Sequence, residues 1–160
     1  METLVLKAEN FVIGLLNQKL DNKFLYHNIP HTQRVVEKAT ELAELSKLSP
    51  EDTEKLVIAA WFHDTGFTID PANHEEKSIE IVNQFLKENN SSENFITDVA
   101  TTILATKMDE VPNTNLGKLL KDADCSHVGS KNYDEFSQLL QKELELTTDC
   151  LLYTSDAADD

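Results

Sequence analysis

The sequence predicts an all-α fold, a bundle of about six to seven helices joined by short connections. Apolar residues recur at three- and four-residue spacing along most of the chain, which is typical of helices with one buried face. Side chains suited to N-caps precede these stretches, and no segment alternates polar and apolar residues as a half-buried strand does. With 160 residues, 40% of them hydrophobic, the chain suits one domain with an ordinary core.

The first two helices are predicted from their apolar faces and their ends. The first helix carries Leu4, Ala8, Phe11, Val12, Leu15 and Leu16 on one face and ends before Asp21. Asn28 is a suitable N-cap for the second helix, and Pro30 falls in its first turn, where a missing N–H costs no hydrogen bond. The buried face of the second helix is Val35, Val36, Ala39, Leu42 and Ala43. His31 therefore lies in the first turn of the second helix.

The third helix has the strongest start signal, Ser49 as the N-cap followed by Pro50. Residues 56–62 are all apolar, so this helix is expected to be central and buried on all sides. Gly66 follows shortly afterwards and is expected to end the helix in the left-handed conformation that glycine favours.

Four further helices follow. The predicted N-terminal signals of the first three are Asn73, Ser91 or Ser92, and Thr114 or Asn115. The fourth helix is expected to face inward with Ile79, Val82, Phe85 and Leu86. The inward face of the fifth is Phe95, Ile96, Val99, Ile103 and Leu104, and that of the sixth is Leu116, Leu119, Leu120 and Ala123. The seventh helix is expected to bury Tyr133, Phe136, Leu139, Leu140 and Leu144, completing the core.

Charge and composition exclude several classes of partner. The formal net charge is −15, so most of the exterior would repel a nucleic acid or an anionic membrane surface. No apolar run approaches the roughly 20 residues that span a bilayer, and the first residues lack the basic segment of a signal peptide. Cys125 and Cys150 show no disulfide framework. These features predict a cytoplasmic protein in which any phosphorylated substrate is held locally, by a metal or a few cations.

The end of the chain is treated separately. Residues 150–160 resemble the translation, in one continuous frame, of adapter DNA used in sequencing libraries. The resemblance implies a non-native tail after a domain of residues 1–149, with native sequence continuing beyond that point and a possible further C-terminal domain there. A disordered acidic C-terminus is the alternative interpretation.

The adjacent pair His63 and Asp64, at the end of the buried helix, indicates a metal site. Imidazole and carboxylate both bind first-row metals, and such a pair is unusual as core packing. Neighbouring side chains on a helix diverge by about 100°, so both reach one ion only where the helix unwinds. His31 and Asp124 can add ligands from other helices, giving a mixed set that suits Mn²⁺, Fe²⁺, Zn²⁺, Ni²⁺ or Mg²⁺. The alternative is that each histidine is a capped or solvated residue.

Several motifs in order carry a family resemblance. They are Tyr26-His27-Asn28, His31-Thr32, the segment from Ile58 to Gly66, His74-Glu75 with Ser78, and the segment from Leu120 to Asp124. Over residues 24 to 128 the chain resembles the HD-domain superfamily of metal-dependent phosphohydrolases. The resemblance implies an HD-type helical bundle in which the metal ligands are His31, His63, Asp64 and Asp124. It also implies hydrolysis of a phosphate ester or anhydride, as a phosphomonoesterase or phosphodiesterase, by a metal-activated water. A small phosphorylated molecule, nucleotide-like, is the implied substrate.

One departure from the family bears on the number of metals. Members with two metals usually carry further histidines on the fifth helix, where this chain has residues 103–107, Ile-Leu-Ala-Thr-Lys. One divalent ion is therefore expected, and the alternative is a second ion assisted by His74. The catalytic residues expected beside it are Asp64, which is also a ligand, with His74, Glu75 and Lys107 for proton transfer or phosphate binding. Alternatively, Glu75 and Lys107 only complement helix dipoles.

His27 and Arg34 are weaker candidates for phosphate contact or proton transfer. His27 can instead hydrogen-bond a loop backbone, and Arg34 can pair with Glu37 one turn on.

Two other functional classes stay open. A nucleotide-sensing regulatory module would bind metal and ligand without significant turnover, but such a module is free to lose its ligands, and here they are intact. A structural metal domain would favour cysteine and histidine with no open position, whereas this set carries two carboxylates.

Overall fold

The computed structural model describes residues 2–126 and 132–147, and within these ranges the chain forms seven α-helices and no strand. The helices are α1 (Leu4–Lys19), α2 (Ile29–Leu45), α3 (Pro50–Phe62), α4 (His74–Glu88), α5 (Glu93–Leu104), α6 (Asn115–Asp124) and α7 (Tyr133–Thr147). Two short 3-10 turns, Thr65–Thr68 and Pro71–Asn73, link α3 to α4. The all-α prediction is confirmed. The expected non-native tail, residues 150–160, lies outside the described residues.

Five helices begin with the same capping hydrogen bond. In each, a side-chain oxygen accepts from the backbone N–H three residues later; the capping residues are Thr3, Asn28, Ser49, Ser92 and Thr114. Asn73 is the exception, because its amide donates to the carboxylate of Asp70 at 2.9 Å instead of capping α4. The reason is that the 3-10 turn runs directly into α4, and Asp70 caps that turn by accepting from the N–H of Ala72.

Helix α3 is the centre of the molecule, as its apolar run predicts. Every residue from Lys55 to Phe62 is buried, and α3 packs against α1, α2, α4, α5 and α6. Because α3 ends inside this bundle, the residues that follow it lie in the interior. No helix in the described ranges is both long and apolar enough to cross a membrane.

Helix α7 differs from its predicted role. Of the five apolar residues expected to complete the core, Tyr133 is 43% exposed and Leu144 is 53% exposed. The only buried residue within the described length of α7 is Glu143. Its carboxylate accepts hydrogen bonds from the backbone N–H groups of Tyr26 and His27, so a polar attachment sets which face of α7 turns inward.

Gly66 is needed for space and not for a left-handed turn. No glycine in the described part of the chain has a positive φ, so the expectation of a left-handed Gly66 is wrong. A Cβ on Gly66 would lie 1.9 Å from the carbonyl oxygen of His74. The glycine therefore lets the first turn of α4 pack directly on the turn that follows α3.

Candidate metal centre

Four side chains from three helices meet at the C-terminal end of α3. His31 comes from the first turn of α2, and Asp124 is the last residue of α6. Helix α3 ends at Phe62, and Asp64, with φ −112° and ψ 8°, has left the helical conformation. The unwinding lets His63 and Asp64 point to the same place. One ligand atom from each of the four side chains lies within 4.8 Å of the others.

The two imidazoles face the two carboxylates through the same ring nitrogen. Nε2 of His31 and Nε2 of His63 each lie 3.2 Å from Oδ2 of Asp64. The same two atoms lie 3.2 and 3.3 Å from Oδ1 of Asp124. Nδ1 of His63 donates to the carbonyl oxygen of Ala60 at 2.7 Å, which orients the ring so that Nε2 faces the two carboxylates. This arrangement is typical of a histidine that binds a metal.

The oxygen Oδ2 of Asp64 is buried, and the two imidazole nitrogens 3.2 Å away do not meet it with hydrogen-bond geometry. A buried carboxylate oxygen without a donor is costly, and a cation among the four ligand atoms removes that cost. Two imidazole nitrogens and two carboxylates are also a donor set that divalent first-row metals accept. The four residues therefore fit a divalent metal ion.

The electrostatics of the four residues favour a bound positive charge. Burial acts to raise the pKa of Asp64 and of Asp124, but the neighbouring imidazoles outweigh it and hold both pKa values below the ordinary range. Burial acts to lower the pKa of His63 and of His31, but the two carboxylates outweigh it and raise both pKa values.

Comparisons with known proteins agree with this geometry. A family model described as "HD domain" matches residues 28–129, a range that includes all four residues of the cluster. The chain belongs to the HD domain family.

The fold of the HD domain is also found in a solved structure. A crystal structure of a predicted HD superfamily hydrolase from an uncultured Thermotogales bacterium matches with a TM-score of 0.66 and 21% sequence identity. The match covers 94% of this chain and 91% of that one, and at this identity it shows the shared fold. No protein of curated function matches the sequence.

His74 and Glu75 lie beside the cluster of the HD domain, next to Asp64. Nε2 of His74 is 3.6 Å from Oδ1 of Asp64 and 3.1 Å from Oε2 of Glu75. The ring of His74 stacks on Phe67 with 4.1 Å between centroids, and its Nδ1 lies 3.2 Å from the carbonyl oxygen of Pro71. These contacts fix the orientation of the His74 ring, with Nε2 directed at two carboxylates.

Lys107 lies just beyond the end of α5 and is not part of the cluster. Its ammonium group contacts the carboxylate of Glu76 at 2.8 Å. This contact raises the pKa of Lys107 and lowers that of Glu76. The charge of Lys107 is thus already balanced in the HD domain by a residue adjacent to Glu75.

Glu143 is a site residue that sequence reasoning missed. In addition to the two N–H groups, its carboxylate contacts Nδ1 of His27 at 2.5 Å. Burial acts to raise the pKa of Glu143, but the hydrogen bonds from His27 and the backbone outweigh it and lower the pKa. His27 in turn lies edge-on to His31, with 5.4 Å between ring centroids. Glu143 therefore supports the loop that precedes the first metal-ligand candidate.

A cavity of about 300 Å³ adjoins the cluster between α2, the end of α6 and α7. His31 and Asp124 line it together with Tyr26, Arg34 and Phe136. The side chain of Asp124 is 25% exposed, whereas that of His63 is fully buried. The cluster is therefore reached from the Asp124 side, through this cavity.

Proposed function

We propose that this HD domain is a metal-dependent phosphohydrolase that acts on a small phosphorylated, nucleotide-like substrate with one divalent cation. The observation that carries the proposal is the buried set of two histidines and two aspartates that opens onto a cavity at Asp124. The solved structure with the same fold is described as a predicted hydrolase, which supports the same reaction class. A set with two carboxylates and an open side also suits hydrolysis better than a closed structural site does.

His31, His63, Asp64 and Asp124 are the residues that would hold the cation. When bound, a divalent cation polarises a phosphoryl oxygen and lowers the pKa of nearby water. The substrate phosphate then enters from the cavity beside Asp124, where the ligand set is exposed.

His74 and Glu75 are proposed to handle protons. Nε2 of His74 lies 3.1 Å from Oε2 of Glu75, close enough for a proton to pass between the two side chains. Because Nε2 of His74 also faces Asp64, the pair can take a proton from the attacking water and return one to the leaving group. The predicted role of Lys107 as a phosphate-binding cation requires its ammonium group to leave Glu76, its partner at 2.8 Å.

One metal is proposed because the described residues form only one group of four potential ligands. Residues 103–107 contain no histidine, and no second group of potential ligands comes together among residues 2–126 and 132–147. A second ion would therefore have few side chains to bind it.

The experiment is metal analysis of the purified chain, followed by a panel of phosphomonoesters and phosphodiesters assayed with added Mn²⁺. We expect about one metal per chain and turnover of at least one substrate, with both lost in Asp64→Ala. The matched control is Asp109→Asn, which changes an exposed carboxylate and should keep full activity. The proposal would be contradicted if wild type and Asp64→Ala both bind metal and are equally inactive. That result would favour a ligand-sensing module.

A further inference from the structure

Arg34 is the only arginine among the 160 residues of a chain with a net charge of −15. It lies one helical turn after His31 on α2 and lines the cavity beside the cluster. An arginine carries a planar group of five donors that matches two phosphate oxygens at once. Its position next to a candidate metal centre therefore suits it to contact with a phosphate group.

Four lysines whose contacts are described are paired with carboxylates, and Lys121 donates to two backbone carbonyl oxygens. Lys38 contacts Glu41 at 3.2 Å, Lys55 contacts Asp98 at 2.7 Å, and Lys77 contacts Glu80 at 3.4 Å. Arg34 makes no ion pair with any carboxylate of the described ranges, and its guanidinium lies instead over the ring of Phe136, 4.1 Å from the centroid. Its charge is not neutralised by direct contact, unlike that of Lys38 in the same cavity.

The cavity has two chemically different ends. With a rise of about 1.5 Å per residue, Arg34 lies roughly 4.5 Å along α2 from His31, whereas Lys38 and Glu41 lie about 10 to 15 Å along it. The inner end thus combines His31, Asp124 and Arg34, and the outer end contains the Lys38–Glu41 pair. A phosphate that reaches the ligand cluster therefore lies beside Arg34.

We propose that Arg34 binds the non-bridging oxygens of the substrate phosphate, and that Phe136 is a positioning residue that holds the guanidinium at the inner end of the cavity. This assignment rests on the proposed phosphohydrolase function and specifies how that site binds its anion. Stacking on an aromatic ring stabilises a guanidinium and restricts its rotamers, so less entropy is lost when the phosphate binds. Since Phe136 belongs to α7, the C-terminal helix contributes to phosphate affinity through Arg34.

The test is calorimetric titration of inorganic phosphate into the full chain loaded with Mn²⁺. We expect Arg34→Gln to weaken phosphate binding by about tenfold or more, the usual loss when hydrogen bonds to a charged group are removed. Arg34→Lys, which keeps the charge but not the two-pronged geometry, should fall between Arg34→Gln and wild type. Lys7→Gln removes a charge from an exposed position on α1 that does not line the cavity, and should bind phosphate as wild type does.

Phe136 is tested with the same titration. Phe136→Leu should weaken phosphate binding by about two- to fivefold, whereas Phe136→Tyr retains an aromatic face and should restore it. Mn²⁺ affinity should be unchanged in every variant, and circular dichroism confirms that each is folded. Where a substrate is found, Arg34→Gln should raise KM more than it lowers kcat.

The outcomes separate this inference from the proposed function. If Arg34→Gln and Arg34→Lys bind phosphate as tightly as wild type does, the inference is overturned. The phosphohydrolase proposal is then left intact. Absence of phosphate binding by the loaded wild type also overturns it. Phosphate binding that depends on Arg34, in a protein that hydrolyses none of the esters, supports the anion site and counts against the enzyme.

Discussion

The hydroxyl of Ser78 donates a hydrogen bond to the carbonyl oxygen of His63 at 2.9 Å. The same hydroxyl accepts from the N–H of Gly66 at 2.8 Å, and Ser78 is fully buried. One side chain of α4 thus satisfies two backbone groups of the turn that contains His63 and Asp64. This contact couples the position of the candidate ligands to α4.

Ser78→Ala is expected to lower the free energy of unfolding by about 2 kcal/mol, because it leaves a buried N–H and a buried carbonyl without partners. It should also weaken metal binding, since the turn is no longer held in place. Denaturant unfolding and metal titration measure the two effects. Ser46→Ala, at an exposed position, is the control, and equal stability of the two variants would contradict the role given to Ser78.

Gly66→Ala is expected to lower the free energy of unfolding by about 3 kcal/mol or more, because its Cβ would meet backbone atoms of His74 that cannot move independently. Gly14→Ala is the matched control, as a Cβ on Gly14, within α1, meets nothing within 4 Å. That change should raise stability by roughly 0.5–1 kcal/mol through helix propensity. Thermal or denaturant unfolding compares the two, and similar effects of both would contradict the steric argument.

Metal affinity is expected to rise with pH. The pKa values of His31 and His63 are raised in the metal-free protein, so both imidazoles keep their protons to a higher pH than free histidine does. A cation must displace these protons, and its apparent affinity should increase until the pH exceeds the raised pKa values. Calorimetry in buffers with different ionisation enthalpies measures the protons released. Binding without proton release, independent of pH, would contradict this expectation.

Glu143→Gln is expected to remove an acid-sensitive part of the stability. The folded-state pKa of Glu143 lies below the ordinary carboxyl value, so its contribution is fully present above that value and is lost as the pH falls through the lowered pKa. Free energies of unfolding between acidic and neutral pH should therefore converge for wild type and Glu143→Gln at the acidic end. Glu145→Gln, an exposed neighbour on α7, should follow wild type throughout.

The sequence predicts the helices well because their signals are local. A capping oxygen and its N–H partner are three residues apart, as for Ser49 and Asp52, and a short segment contains both. The gathering of His31, His63, Asp64 and Asp124 was anticipated from the order of motifs, and the structure brings these side chains together. Their role as metal ligands stays a prediction.

The features that sequence reasoning missed depend on distant contacts. Glu143 bonds the N–H of Tyr26, a residue 117 positions away, and no local pattern distinguishes this glutamate from the other acidic residues of α7. The apolar spacing of α7 suggested a leucine face toward the core, but a polar attachment determines its orientation. The contact between Gly66 and α4 is likewise tertiary. The sequence shows that position 66 is a glycine but does not show that α4 packs against it.

The uneven burial of α3 and α7 implies uneven protection against hydrogen exchange. Amide hydrogens in α3, packed among five other helices, exchange only when the whole domain opens, whereas α7, which buries Glu143 alone, can detach at a lower free energy. The candidate ligands His63 and Asp64 thus belong to the most persistent part of the protein, and Phe136 belongs to the least. Detachment of α7 would remove the aromatic support of Arg34 while the arrangement of the candidate ligands stays constant.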